Sequence, residues 1–218
     1  MPGWGSFKRN DILVFNFPYQ MNRWDSVRMD VMQYYVKRCV ALPGDTLEIR
    51  GGFYKVRGCD EQLGNCDAQQ YLANLKHPEQ HGIVVGTFPY DKQIGWNIRE
   101  FGPLPIPKKG QTVMMNRTNC LLYRQLIGWE QKKKLRIKDG QIVLGDSVIT
   151  QYRFKKNYYF VSGDNMANSQ DSRYWGMLPE EYIVGKAARV WYSEDKFTEK
   201  PRWDRTVSYT HLTLPTNR

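Results

Sequence analysis

Two stretches of the chain hold residue types that could do chemistry together. In the first, Tyr35-Val36-Lys37-Arg38-Cys39-Val40, a lysine sits inside a run with strand character. Strict alternation puts Lys37 on one face with Tyr35 and Cys39 and turns Arg38 the other way. An amine on an apolar face is desolvated, which favours its neutral form. A neutral amine near pH 7 can take a proton as a general base. The same six residues also read as a lysine on the solvent side of an edge strand, paired with a carboxylate, and taken alone they favour that reading. The second stretch is the polar loop 163–176, GDNMANSQDSRYWG, directly after the apolar strand Tyr158–Val161. Asp171 and Arg173 can form a charge-assisted pair there, and a small hydroxyl beside them can orient a neighbouring amine. A loop of Asx turns closed by its own hydrogen bonds is the alternative. Its length and polarity next to a core strand favour a site.

These residues need elements to hold them, and the pattern is one of strands. Asp11–Pro18 (DILVFNFP) and Gln33–Ala41 (QYYVKRCVA) read as strands, the second closed by the turn Pro43-Gly44-Asp45. Thr46–Arg50 and Phe53–Arg57 flank Gly51-Gly52 as a hairpin. Leu135–Lys138 and Gln141–Leu144 flank Asp139-Gly140, which favours a type I′ turn. Tyr158–Val161 and Tyr182–Tyr192 supply further strands. Helical periodicity is scarce, so the expected class is all-β. Between about Cys59 and Gln131 Gly, Pro and Asn become denser, and Leu104–Gly110 (LPIPKKG) reads as extended. The expected organisation is a core in two parts, 1–58 and 151–205, around an inserted β subdomain at 59–150. The segment 206–218 (TVSYTHLTLPTNR) loses charge, gains Thr and resembles translated adapter or vector sequence, so it is set aside.

The chain has 218 residues, 41% hydrophobic and 25% charged, enough to bury a core and too apolar for a disordered polymer. No stretch approaches the roughly eighteen continuous apolar residues of a membrane helix. A net charge of +10 admits nucleic acid, an anionic membrane surface or an acidic ligand as partner. The basic residues are dispersed apart from Lys132-Lys133-Lys134, which argues against nucleic acid. Among four cysteines, Cys59 and Cys66 could bridge across a tight loop at Gly64-Asn65 or remain free thiols. His77 and His81 stand four apart, but Pro78 occupies the place where a zincin motif needs Glu. No metal site and no cofactor are expected.

Taken together, the segments FKRNDILVF at 7–15, YVKR with LPGD at 35–45, and GDN…NSQDSRYWG at 163–176 resemble three successive boxes of bacterial type I signal peptidase, in order and spacing. The Phe101–Gly110 stretch looks like that of Bacteroidetes members. The resemblance implies coiled antiparallel β-sheets and a Ser-Lys dyad protease that removes signal peptides from exported preproteins. It implies a parent protein in the cell inner membrane with its catalytic domain on the periplasmic side, at an anionic lipid surface. Lys37 then matches the general base and Ser169 the hydroxyl that orients it. Asp171 and Arg173 match a supporting pair and Gly163 the glycine opening the loop. Phe15, Tyr35 and Val161 fall where the family packs apolar atoms around the lysine. Val14 and Val36 fall where it lines the substrate groove, so Val14, Phe15, Tyr35 and Val36 are the expected substrate-side residues. Cys59 and Cys66 lie near where some members place a disulfide.

One departure shapes the expectation. The family's nucleophile lies in a Ser-Met-x-Pro-Thr type motif upstream of the first box, after a membrane helix, and neither occurs in these residues. Ser6 and Ser26 lack the motif. The chain is therefore expected to be a fragment, with Met1 an internal or false start, and to be inactive alone. A non-catalytic paralogue that binds signal peptides is the alternative.

Overall fold

The computed structural model describes residues 6–20, 24, 26–187 and 200. The end of the strand expected over Tyr182–Tyr192 and the tail at 206–218 lie outside them. Ile12–Phe17 (β1) is buried almost throughout, and its partner Asp30–Ala41 (β2) is buried only over its last four residues. The turn after β2 leads into the hairpin of Thr46–Arg50 (β3) and Phe53–Val56 (β4). Then come the helix Cys66–Asn74 (α1), the strands Phe101–Pro105 (β5) and Thr112–Met114 (β6), and the helix Arg117–Gln131 (α2). A small meander follows, Leu135–Lys138 (β7), Gln141–Leu144 (β8) and Ser147–Val148 (β9), and then Gln151–Arg153 (β10). Tyr158–Ser162 (β11), the single turn Ser172–Trp175 (α3), Leu178–Pro179 (β12) and Ile183–Lys186 (β13) complete the described chain.

The main sheet runs β12-β11-β2-β1-β13, and every described pairing in it is antiparallel. Three smaller sheets have the orders β4-β3-β5, β10-β6 and β7-β8-β9. The β7–β8 turn takes φ of 49° at Asp139 and 76° at Gly140, the two positive values a type I′ turn requires. Leu13, Phe15, Phe17, Val161 and Phe160 are fully buried, each worth about 1.5–3 kcal/mol of apolar transfer. The hydrophobic core is one continuous cluster that also takes in Leu72, Phe101, Tyr123 and Ile127 from the middle of the chain.

The all-β class holds, with few helices, and the 59–150 stretch contains β5 to β9. It also carries α1 and α2, which the sequence reading did not anticipate. Asn65, read as part of a tight loop, is the N-cap of α1 and accepts from the Ala68 N–H. In α2, Asn116 caps the start, Lys132 in the left-handed region ends it, and Cys120, Tyr123 and Ile127 share a buried face. Cys59 and Cys66 are free thiols.

Candidate active site

Two strands and one loop bring the chemistry-bearing residues together. Register places Lys37 of β2 opposite Leu13 and Tyr35 opposite Phe15 of β1, so these four share a face. Lys37 is half-buried, and its Nζ donates a hydrogen bond of 3.0 Å to Ser169 Oγ. That contact joins residues 132 positions apart in sequence. Among the described residues no carboxylate lies within ion-pair distance of this amine, so the solvent-facing, carboxylate-paired reading of Lys37 is not the one realised. Burial pulls its pKa below the ordinary value; Asp171 opposes this, Arg173 adds to it, and Asp164 opposes it least.

Gly163 is where the loop leaves β11, and its missing side chain is what the Lys37–Ser169 pair occupies. A Cβ built at this position would stand 2.0 Å from Ser169 Oγ and 3.3 Å from Lys37 Nζ. Glycine is required here for space.

Behind Gly163 lies a buried ionic knot. Arg173 Nε and Nη2 donate to Asp171 Oδ1 and Oδ2 at 2.9 and 2.8 Å, and neither side chain has any solvent exposure. Arg173 also donates to the Met166 carbonyl at 2.9 Å, and Asp171 accepts the Gly163 N–H at 3.0 Å. Burial alone would raise the Asp171 pKa, but the guanidinium and the Gly163 N–H hold it below the usual carboxylate range. Burial would also strip the guanidinium's proton, and Asp171 keeps it firmly charged. The knot thus clamps both ends of the 163–173 loop and fixes Ser169 over the lysine.

The four expected substrate-side residues divide between two faces. Val14 and Val36 oppose each other across β1 and β2 on the face away from Lys37, Val14 half-buried and Val36 exposed. Phe15 is fully buried, with Tyr35 and Trp175 each 6.2 Å from its ring centroid. It therefore forms the floor beneath the lysine and presents no surface that a substrate could touch. Tyr35 is half-buried, with Lys37 Nζ 5.6 Å from its ring centroid.

The sequence reading missed three supports. Arg38, turned away from Lys37 as alternation required, pairs bidentately with Asp164 at 2.8 and 2.7 Å. Arg9 does the same to Asp45 at 2.9 and 2.6 Å, tying the first box to the turn after β2. Tyr54 of β4 donates to Ser162 Oγ at 2.7 Å, and Ser162 reaches the Gly163 carbonyl at 3.3 Å. The first two pairs join residues within the quoted boxes, so a search for complementary charges between boxes could have found them. Nothing local marks Tyr54.

A half-buried amine with no described carboxylate in ion-pair reach, hydrogen-bonded to a hydroxyl, has the surroundings that proton transfer requires. The family model for signal peptidase, peptidase S26, matches residues 2–192, and the chain belongs to that family. It is 58% identical over 197 residues to the signal peptidase I of Buchnera aphidicola subsp. Acyrthosiphon pisum, covering 86% of this chain and 55% of that protein. It is 50% identical over 188 residues to the signal peptidase I of Aquifex aeolicus, covering 85% of this chain and 63% of that one. The chain thus spans between about half and two thirds of the length of these relatives. A solved signal peptidase I from Enterococcus faecalis covers 84% of this chain and 98% of its own at 19% identity, with a TM-score of 0.40.

Proposed function

We propose that these residues form the general-base half and substrate groove of a serine endopeptidase that cleaves signal peptides from exported preproteins at an anionic membrane surface. The parent protein is assigned to the cell inner membrane, with this part on the periplasmic side. The observation that carries the reading is the Lys37 Nζ–Ser169 Oγ contact of 3.0 Å in a pocket that only glycine at 163 leaves open.

In this reading Lys37 works as the neutral amine. One N–H is committed to Ser169, which fixes the direction of the nitrogen lone pair. A nucleophilic serine on the open side passes its proton to that lone pair as its oxygen bonds to the scissile carbonyl carbon, and the carbonyl π pair moves onto oxygen. When the tetrahedral adduct collapses, the C–N bond breaks and the Lys37 ammonium returns the proton to the leaving amine. Water then hydrolyses the ester by the same exchange. Asp171 and Arg173 are positioning residues, acting through Gly163 and Ser169. The substrate backbone adds along a strand, and side chains one and three positions before the cut are selected for small size at the apolar surface of β2 beside Lys37, which includes the exposed Val36. The Ser-Met-x-Pro-Thr motif is not among these residues, so the 218-residue chain is read as inactive alone.

Binding separates this reading from a merely structural role for the pocket. The chain should bind a preprotein cleavage-site peptide with alanine at both small positions. It should bind at least tenfold more weakly when phenylalanine replaces either one, as measured by isothermal titration. Equal binding of both peptides overturns the groove assignment. Lys37-dependent cleavage of the alanine peptide overturns the inactivity.

A further inference from the structure

Gly163 must be glycine for space, and its backbone therefore lacks the restraint a side chain would give. Two polar contacts hold it instead. Its N–H donates to Asp171 Oδ2 at 3.0 Å, and its carbonyl faces Ser162 Oγ at 3.3 Å. The first contact belongs to the ionic knot. The second depends on where the Ser162 hydroxyl points, and that hydroxyl has a single proton to give. Asp171 Oδ2, at 3.5 Å, is its alternative acceptor. Both contacts are long, so neither fixes the hydroxyl unaided. Tyr54 does so from another sheet. Its hydroxyl donates to Ser162 Oγ at 2.7 Å, which fills one lone pair and leaves the Ser162 proton for Gly163 and Asp171. Tyr54 is itself held from several sides. Its N–H donates to Gln69 Oε1 of α1 at 2.8 Å, and Gln69 Nε2 donates to the Leu63 carbonyl at 2.6 Å. The Tyr54 ring stands edge-on to Phe160, with centroids 6.5 Å apart. Gly64, at φ 75°, leaves that ring its space, since a Cβ there would come within 3.0 Å of it. Burial pushes the phenol pKa up, so the hydroxyl keeps its proton. A phenylalanine would fill the same volume without burying a hydroxyl, so packing alone does not account for the pair.

We propose that Tyr54 is a positioning residue for the general base: through Ser162 it fixes Gly163, and with it the contact between Lys37 and Ser169. Buried contacts run from α1 through Tyr54 and Ser162 to Gly163, so the sheet β4-β3-β5 braces a site carried by the main sheet. The inference rests on the reading of Lys37 as the base, and the experiment separates the two. The charges that act on the amine are Asp171, Arg173 and Asp164, with the Tyr35 ring centroid 5.6 Å away. A change at Tyr54 removes none of them. Loss of the Tyr54 hydroxyl frees Gly163 to shift and lets water reach the amine, which weakens the burial that lowers its pKa.

The full 218-residue chain, isotopically labelled at lysine Cε, is titrated by NMR as wild type and as Y54F. Y54F should move the Lys37 midpoint up toward that of an ordinary lysine. At a pH below both midpoints this leaves about threefold less neutral amine, the size of one hydrogen bond. Y123F is the control, because it removes another buried hydroxyl, the one that donates to the Pro105 carbonyl at 2.9 Å. It should lower stability in urea comparably and leave the Lys37 midpoint in place. S162A should raise the midpoint as Y54F does, and Y54F added to S162A should move it no further, since Tyr54 acts through Ser162. S162T, which restores the hydroxyl, should return the midpoint to its wild-type position. An unmoved midpoint in folded Y54F, an equal rise in Y123F, or a further rise in the double variant overturns the positioning role. If Y54F does not fold, the comparison of S162A with S162T decides, and equal midpoints in those two overturn the role. A wild-type Lys37 that titrates like an exposed lysine overturns the reading of the base beneath it.

Discussion

Neighbouring cations on β2 meet opposite fates. Arg38, on one face, is 5% exposed and grips Asp164 through two hydrogen bonds. Lys37, on the other, has a hydroxyl for a neighbour and no described carboxylate within ion-pair distance. Asp171, the nearest strong counter-charge by its effect on the amine, is already consumed by Arg173. The difference separates scaffold from chemistry. A paired guanidinium is fixed in one protonation state and holds chain segments together. A desolvated amine without a partner is left free to change protonation state, which is what a base must do.

The largest break in this contrast comes from the scaffold side. R173M leaves Asp171 buried and unpaired, and should cost about 3–5 kcal/mol in urea denaturation. The double variant D171M/R173M should cost less than R173M alone, because no orphan charge remains. A double variant as damaged as R173M would mean that the knot acts through packing and not through charge. R38M should cost about 1.5–3 kcal/mol by the same measurement, since Asp164 keeps some solvent access. A loss for R38M as small as that for a change at Lys37 would erase the contrast between the two cations.

G163A tests the contact itself. The added methyl must displace Ser169 Oγ, which it would otherwise approach to 2.0 Å. The expected loss is about 1–3 kcal/mol, together with disappearance of the Lys37–Ser169 coupling in side-chain NMR. Intact coupling in G163A would show that the loop yields without moving the serine.

What could be read in advance follows the same division. Alternation in β1 and β2, the Asp139-Gly140 turn and the Asp171–Arg173 spacing are short-range patterns, so the sheet and half of the site were legible. The Lys37–Ser169 contact came from the resemblance of the boxes, because no period links residues 132 apart. Arg38–Asp164 and Tyr54–Ser162 span 126 and 108 positions and depend on which strands the topology sets side by side. Helix α2 escaped because Gly128 and three asparagine or glutamine side chains dilute its apolar face, and tertiary burial of Tyr123 and Ile127 overrides that local signal. Phe15 was expected both around the lysine and on the substrate side, because its type fits a core and a substrate wall alike, and it is fully buried.

The smallest expected effect is the most informative about Lys37. K37M keeps the length of the side chain and removes its charge, so at any pH it should lie within about 1.5 kcal/mol of wild type, the size of one hydrogen bond. The sign should depend on pH. Burial lowers the folded-state pKa below the ordinary 10.5. Between those two values the unfolded chain holds a proton at Lys37 that the folded chain does not, so wild-type stability rises with pH across that window relative to K37M. Below the folded pKa both states are protonated and the folded ammonium carries its full desolvation penalty, so K37M should gain most on wild type there. The gain should shrink steadily as the pH climbs to 10.5, which paired urea titrations of the two proteins would register. A pH-independent difference would mean that the amine titrates as a solvated lysine. The two cations of β2 would then differ only in their neighbours, and the case for Lys37 as a base would fall with that result.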